Sequence, residues 1–200
     1  MLNPKVRFQY SSVYNENIEN WVKRRPWEPK KYPSERKIMN YISKVEKLWA
    51  VEEKRILKEL SKVTGLNWVE SKIDCFVVGR GYPFSHPLTM PIYPKYLNWF
   101  IDILIHELIH QLFLQGNNEE KSKKAWAYIY RKYHKEKENV RIHIPLHAIH
   151  QHIFLKFFGE GRLQREIRIM SNYKDYKRSW EIVQKTGHEK IIEAFAKRVL

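Results

Sequence analysis

The stretch that most constrains this chain is Leu97–Leu114, LNWFIDILIHELIHQLFL. It is apolar on nearly every side, and a helix of that kind must be buried all round. Yet it carries Asp102, His106, Glu107 and His110. Imidazoles and carboxylates are costly in a core unless they are paired or coordinated. His106 and His110 are four residues apart, so on a helix they lie one above the other and their ring nitrogens can converge on a single ion. Glu107 projects from the adjoining face, within reach of a water on that ion. Two nitrogen ligands with a general base beside them form the core of a Zn²⁺-dependent hydrolytic site.

Two hundred residues suit one domain, or one domain with an appendage. A hydrophobic content of 43% with 14% aromatics excludes a disordered chain. The motif helix is the most apolar run, but its two carboxylates and two histidines argue against a membrane span. The first twenty residues lack the apolar core of a secretory signal. Cys75 is the one cysteine, which excludes an internal disulfide and leads us to expect a reducing, cytoplasmic location. Most simply, it is a small buried residue on a strand. The net charge of +15 can attract nucleic acid or an anionic surface. Its lysines and arginines are, however, spread along the chain among glutamates, with no basic tail and no nucleic-acid motif. A composition rich in Lys, Glu, Ile and Tyr and poor in glycine also resembles that of proteins from heat-adapted organisms.

In chain order, residues 1–33 read as an extended arm. They contain Pro4, Pro26, Pro29 and Pro33, offer Trp21 and Trp27 as anchors, and leave room for a short helix near Glu16–Lys23. Ser34 then caps a long helix whose stripe is Ile38, Ile42, Val45, Leu48 or Trp49, Ile56, Leu60 and Val63, and Gly65 stops it. Strands are expected at Leu66–Val69, Ile73–Val78 and Leu88–Tyr93, with a turn at Gly79-Arg80-Gly81. Pro91 argues that the last of these is an edge strand, to which an extended peptide can add. After the motif helix, a second helix runs from Glu119 to about Lys137. Pro145, at an N1-like position, opens a third over Ile144–Phe158. Glu160–Leu200 reads as two or three amphipathic helices broken at Gly187. The expectation is an α+β fold, mostly helical, with a small, mainly antiparallel sheet beside the motif helix. It divides into an arm (1–33), the main domain (34–158) and a helical extension (159–200).

Catalytic zinc usually has three protein ligands and one open position, so a ligand is missing. A sheet with an edge strand, followed by a helix bearing His-Glu-x-x-His, resembles the zincin metallopeptidases. The resemblance covers the five residues His106–His110 specifically and the order of elements from about Thr64 to Phe158 loosely. It implies that His106 and His110 bind Zn²⁺, that Glu107 activates the attacking water, and that the substrate is a peptide or protein. No subgroup is assigned. The metzincin extension needs a glycine and a histidine where this chain has Phe113 and Gly116. Asn118-Glu119-Glu120-Lys121-Ser122 matches the letters of the thermolysin-like pattern, but it follows His110 too closely and fits ordinary helix capping. The His-Gly context of SprT-like proteases is absent around His134. The third ligand is therefore sought among His143, His147, His150 and His152. His147 and His150 share a helical face with Phe154 and Phe157. We expect His147 as third ligand with His150 as substitute, the unused ring supporting a ligand or an oxyanion. His143 precedes Pro145 and is expected outside the helix. Two alternatives stay open. One is a basic protein associated with nucleic acid, including a protease recruited to DNA, and the other is a latent zincin-like scaffold with a structural metal.

Overall fold

The computed structural model describes residues 2–25 and 31–200, so Pro26, Trp27 and Pro29 lie outside the described residues. The elements in order are β1 (Lys5–Gln9), α1 (Ser12–Lys23), α2 (Glu35–Thr64), β2 (Lys72–Val78), β3 (Phe84–Ser85), β4 (Leu88–Pro91) and α3 (Leu97–Leu114). Then follow α4 (Asn118–Lys132), α5 (Glu138–Phe157), α6 (Glu160–Met170), α7 (Lys174–Thr186) and α8 (His188–Ala196). The fold is α+β, predominantly helical, with a small mixed sheet. Among the described residues no helix is long and apolar enough to cross a membrane.

The sheet has the order β1-β2-β4-β3. Its β1/β2 and β2/β4 pairings are parallel, and only β3/β4 is antiparallel, which corrects the expectation of a mainly antiparallel sheet. Side-chain alternation records which face a residue takes, not strand direction, so the pattern carried no information on this point. β1 comes from the segment read as an arm. Its alternation buries Val6 and Phe8 while Lys5 and Arg7 stay outside. The helix expected near Glu16–Lys23 begins earlier, after the N-cap Ser11, whose hydroxyl accepts from the Tyr14 N–H at 3.3 Å.

A second correction concerns the edge. β4 is interior, with β2 on one side and β3 on the other, and the edges are β1 and β3. Pro91 is tolerated there because β3 pairs only with Leu88 and Thr89. The Ile92 N–H donates to Val78 on β2 at 3.0 Å, so the nitrogen of Pro91 faces the other side, past the end of β3. β3 thus takes the place that an added strand would need beside Leu88 and Thr89. Leu66–Val69 is irregular rather than a strand, although Leu66 and Trp68 are buried and the Trp68 indole donates to the Leu57 carbonyl at 2.9 Å.

The chain divides into two compact units, one comprising Leu2–Arg55 and Glu70–Gln111, the other Ile56–Val69 and Leu112–Leu200. The first holds the sheet, and its core includes Phe8, Tyr41, Trp49, Ile73, Val77, Met90, Phe100 and Leu104. Phe100 of α3 meets Phe8 of β1 and Tyr41 of α2, each at 5.6 Å between ring centroids. The β1 edge is covered by a carboxylate, since Glu53 Oε1 accepts from the Val6 N–H at 2.8 Å and the Trp49 indole at 3.0 Å. The second unit is helical. Phe113, Trp126 and Phe195 form a ring cluster with spacings of 5.1–5.4 Å, while Phe154 and Trp180 are buried elsewhere in the same unit.

Candidate metal centre

α3 is buried from Phe100 to Phe113 with one exception, the half-buried His110. Its hydrophobicity on all sides explains why it forms where it does, and its histidines come with it into the interior. His106 and Glu107 are 3% and 6% exposed, so a carboxylate and an imidazole sit side by side almost out of water. The His106 and His110 rings have centroids 5.2 Å apart at 66°. His143 on α5 completes a group. The three histidines each offer a ring nitrogen, and these nitrogens lie within 4.8 Å of one another.

The sequence-based choice for the third position was His147, with His150 as substitute. The nitrogen brought to the pair is that of His143. The reason lies in the start of α5. The sequence reading let Pro145 open the helix, but α5 begins at Glu138 and Pro145 lies inside it. That places His143 on the helix, one turn before His147. His147 and His150 are both buried: His147 lies against Trp180 and Ser179, and His150 is edge-on to Phe154 at 4.6 Å. His152 bonds to Glu59 at 2.9 Å. Glu119 is exposed in the first turn of α4, and His134 is exposed beside the Arg131 carbonyl at 3.1 Å.

The chemistry of the donor set fits a divalent ion. His143 Nδ1 lies 2.7 Å from the Asn139 carbonyl, which can only accept, so the ring proton is on Nδ1 and the lone pair of the neutral ring is on Nε2. Burial holds the His143 pKa below its ordinary value and so favours that neutral form. Three imidazoles with no thiolate suit Zn²⁺ among the borderline cations, and also admit Cu²⁺ or Ni²⁺. Burial pushes the Glu107 carboxyl up to about 8, whereas a cation beside it acts in the opposite direction by Coulomb attraction. Cys75, deep in β2, is buried and its thiol is raised well above the ordinary value, by burial first and by the Glu107 charge second, which makes it an inert neighbour.

Sequence reasoning missed a contact on the same helix. Gln111, one turn past Glu107, donates its amide to the Ser85 carbonyl and lies 3.3 Å from His86 Nδ1, tying the β3 end to α3. A buried glutamine directly after the motif was the available signal. No protein-family profile, no characterised protein and no solved structure matches this chain.

Proposed function

We propose that this chain is a zinc-dependent hydrolase of peptide bonds, resembling the zincins, with His106, His110 and His143 as metal ligands and Glu107 as general base. The observation that carries the reading is the arrival of a third histidine nitrogen, from a helix remote in sequence, within 4.8 Å of both motif nitrogens. A single helix supplies the pair by its own geometry, but a third imidazole at that spacing requires the fold to place it. Zinc in that group would acidify a bound water and polarise the carbonyl of the scissile bond.

The protein residues then have defined tasks. Glu107 accepts a proton at its carboxylate and delivers it to the departing amine, a role suited to a carboxyl kept nearly dry. The Asn139 carbonyl holds His143 in the tautomer whose Nε2 lone pair would serve as the metal ligand. His110, the least buried of the three, marks the side on which substrate can approach.

The test is metal analysis of the purified full chain together with cleavage of fluorescence-quenched peptides. The expected result is about one zinc per chain at neutral pH and chelator-sensitive hydrolysis. Absence of stoichiometric zinc would remove the reading.

A further inference from the structure

One turn beyond His143, His147 is fully buried and gripped by α7 from two sides. Its ring lies flat on Trp180, with centroids 4.3 Å apart and planes 9° from parallel, and Tyr176 meets it edge-on at 5.5 Å. Its Nδ1 stands 2.8 Å from Ser179 Oγ. A serine hydroxyl has one hydrogen, and that of Ser179 is directed at the Tyr176 carbonyl 2.9 Å away. With that bond made, Ser179 accepts from His147, an arrangement that satisfies both groups and puts the ring proton on Nδ1 and the lone pair on Nε2. His143 has the same tautomer through the Asn139 carbonyl.

The two rings of α5 are 5.4 Å apart between centroids at 53°, close to the 5.2 Å of His106 and His110. With Zn–N bonds of about 2.0–2.1 Å, two imidazoles on one tetrahedral ion have ring centroids roughly 5 Å apart. The α5 pair therefore has the ring spacing and the tautomers that a chelate needs, and His147 is held in place by Trp180 and Ser179. None of these features is needed to fill space, for which an aliphatic side chain would serve.

We propose that His143 and His147 form a second histidine chelate, an alternative seat for a borderline divalent ion such as Ni²⁺, Cu²⁺ or Zn²⁺. Ser179 and Trp180 of α7 act as its positioning residues. His143 belongs to both groups and is the residue they share. The inference needs only the imidazoles and does not rest on peptide hydrolysis.

The His106→Ala/His110→Ala chain isolates this seat. Calorimetric titration with Ni²⁺ should give about one equivalent bound, lost on adding His147→Ala and retained on adding His150→Ala. Ser179→Ala, which frees the other tautomer, should weaken that binding about 10–100-fold. In the metal-free wild-type chain, long-range ¹H–¹⁵N NMR should place the His147 proton on Nδ1. A folded double variant that binds no Ni²⁺, binding indifferent to His147→Ala, or a His147 proton on Nε2 would each overturn the proposal. Affinity unchanged in Ser179→Ala would overturn the positioning role. If the double variant does not fold, the wild-type tautomer decides. A chain that binds zinc but cleaves no peptide would end the hydrolase reading and leave this seat standing.

Discussion

On the proposed reading, Glu107 and His143 separate metal binding from chemistry. Glu107→Gln keeps the shape of the side chain but cannot take up a proton, so zinc content should stay at one per chain. Peptide cleavage should fall at least about 100-fold, the scale of a lost general base. His143→Ala removes the proposed third ligand nitrogen and should release the zinc on gel filtration, whereas His147→Ala should leave the neutral-pH zinc content intact. Equal zinc loss in the two histidine variants would contradict the placement of His143 with the motif pair. The contrast also explains what the sequence could reveal. His106, Glu107 and His110 share one helix, so helical geometry alone fixes their relation. His143 depends on where α5 begins and on how distant parts of the chain pack, and neither follows from local spacing.

At the scale of elements, the misread start of α5 has a specific cause. The run from Lys135 to Glu138 is charged throughout, so the end of α4 and the beginning of α5 look alike in sequence. Pro145 then offered a plausible but false beginning. A proline inside a helix forfeits the bond to the carbonyl four residues back and usually interrupts the helix, which is why it reads as a boundary. The parallel sheet was hidden for a different reason: β1 pairs with β2 across more than sixty residues, in the register Val6↔Ile73 and Phe8↔Cys75, and no local signal encodes a partner so far away. The end of β2 was more legible, because Gly79 marks a turn. Its physical role there is close approach. A Cβ at Gly79 would stand 2.5 Å from the Tyr32 ring, whose hydroxyl accepts from the Gly79 N–H at 3.0 Å and donates to Asn15 Oδ1 at 2.9 Å. Gly79→Ala should therefore cost about 1–3 kcal/mol by forcing this junction apart. Tyr32→Phe, which keeps the ring, should cost only about 1 kcal/mol. Urea titrations of both variants would check the order, and an alanine variant as stable as wild type would refute the close-approach account.

For the molecule as a whole, charge patterning offers a final test through the response to acid. Asp74, Glu136 and Glu193 all titrate below their ordinary range because they pair with Arg7, Arg178 and Lys197, but these pairs are largely exposed and such pairs add little. Glu59 differs. It is 7% exposed near the end of α2, with Lys156 Nζ at 2.7 Å and His152 Nε2 at 2.9 Å, both from α5. Burial is the largest single effect and raises its pKa, yet the hydrogen bonds and charges of Lys156 and His152 together outweigh it and bring the pKa below 4.5. A carboxyl with a depressed folded pKa stabilises the fold above its unfolded value, and that contribution is lost as pH falls through the folded one. Stability of the chelator-treated chain should therefore drop as the medium is taken below about pH 4.5. Glu59→Gln should lose about 1–3 kcal/mol at pH 7, the worth of hydrogen bonds to a charged group. In a chain of this length that lowers the melting temperature by about 2–4 °C per kcal/mol. The variant should also show a flatter acid limb, because the titrating group is gone. Melting curves of both chains from pH 3 to 7 would decide it: parallel acid limbs would mean that Glu59 is not what ties α2 to α5 through its charge.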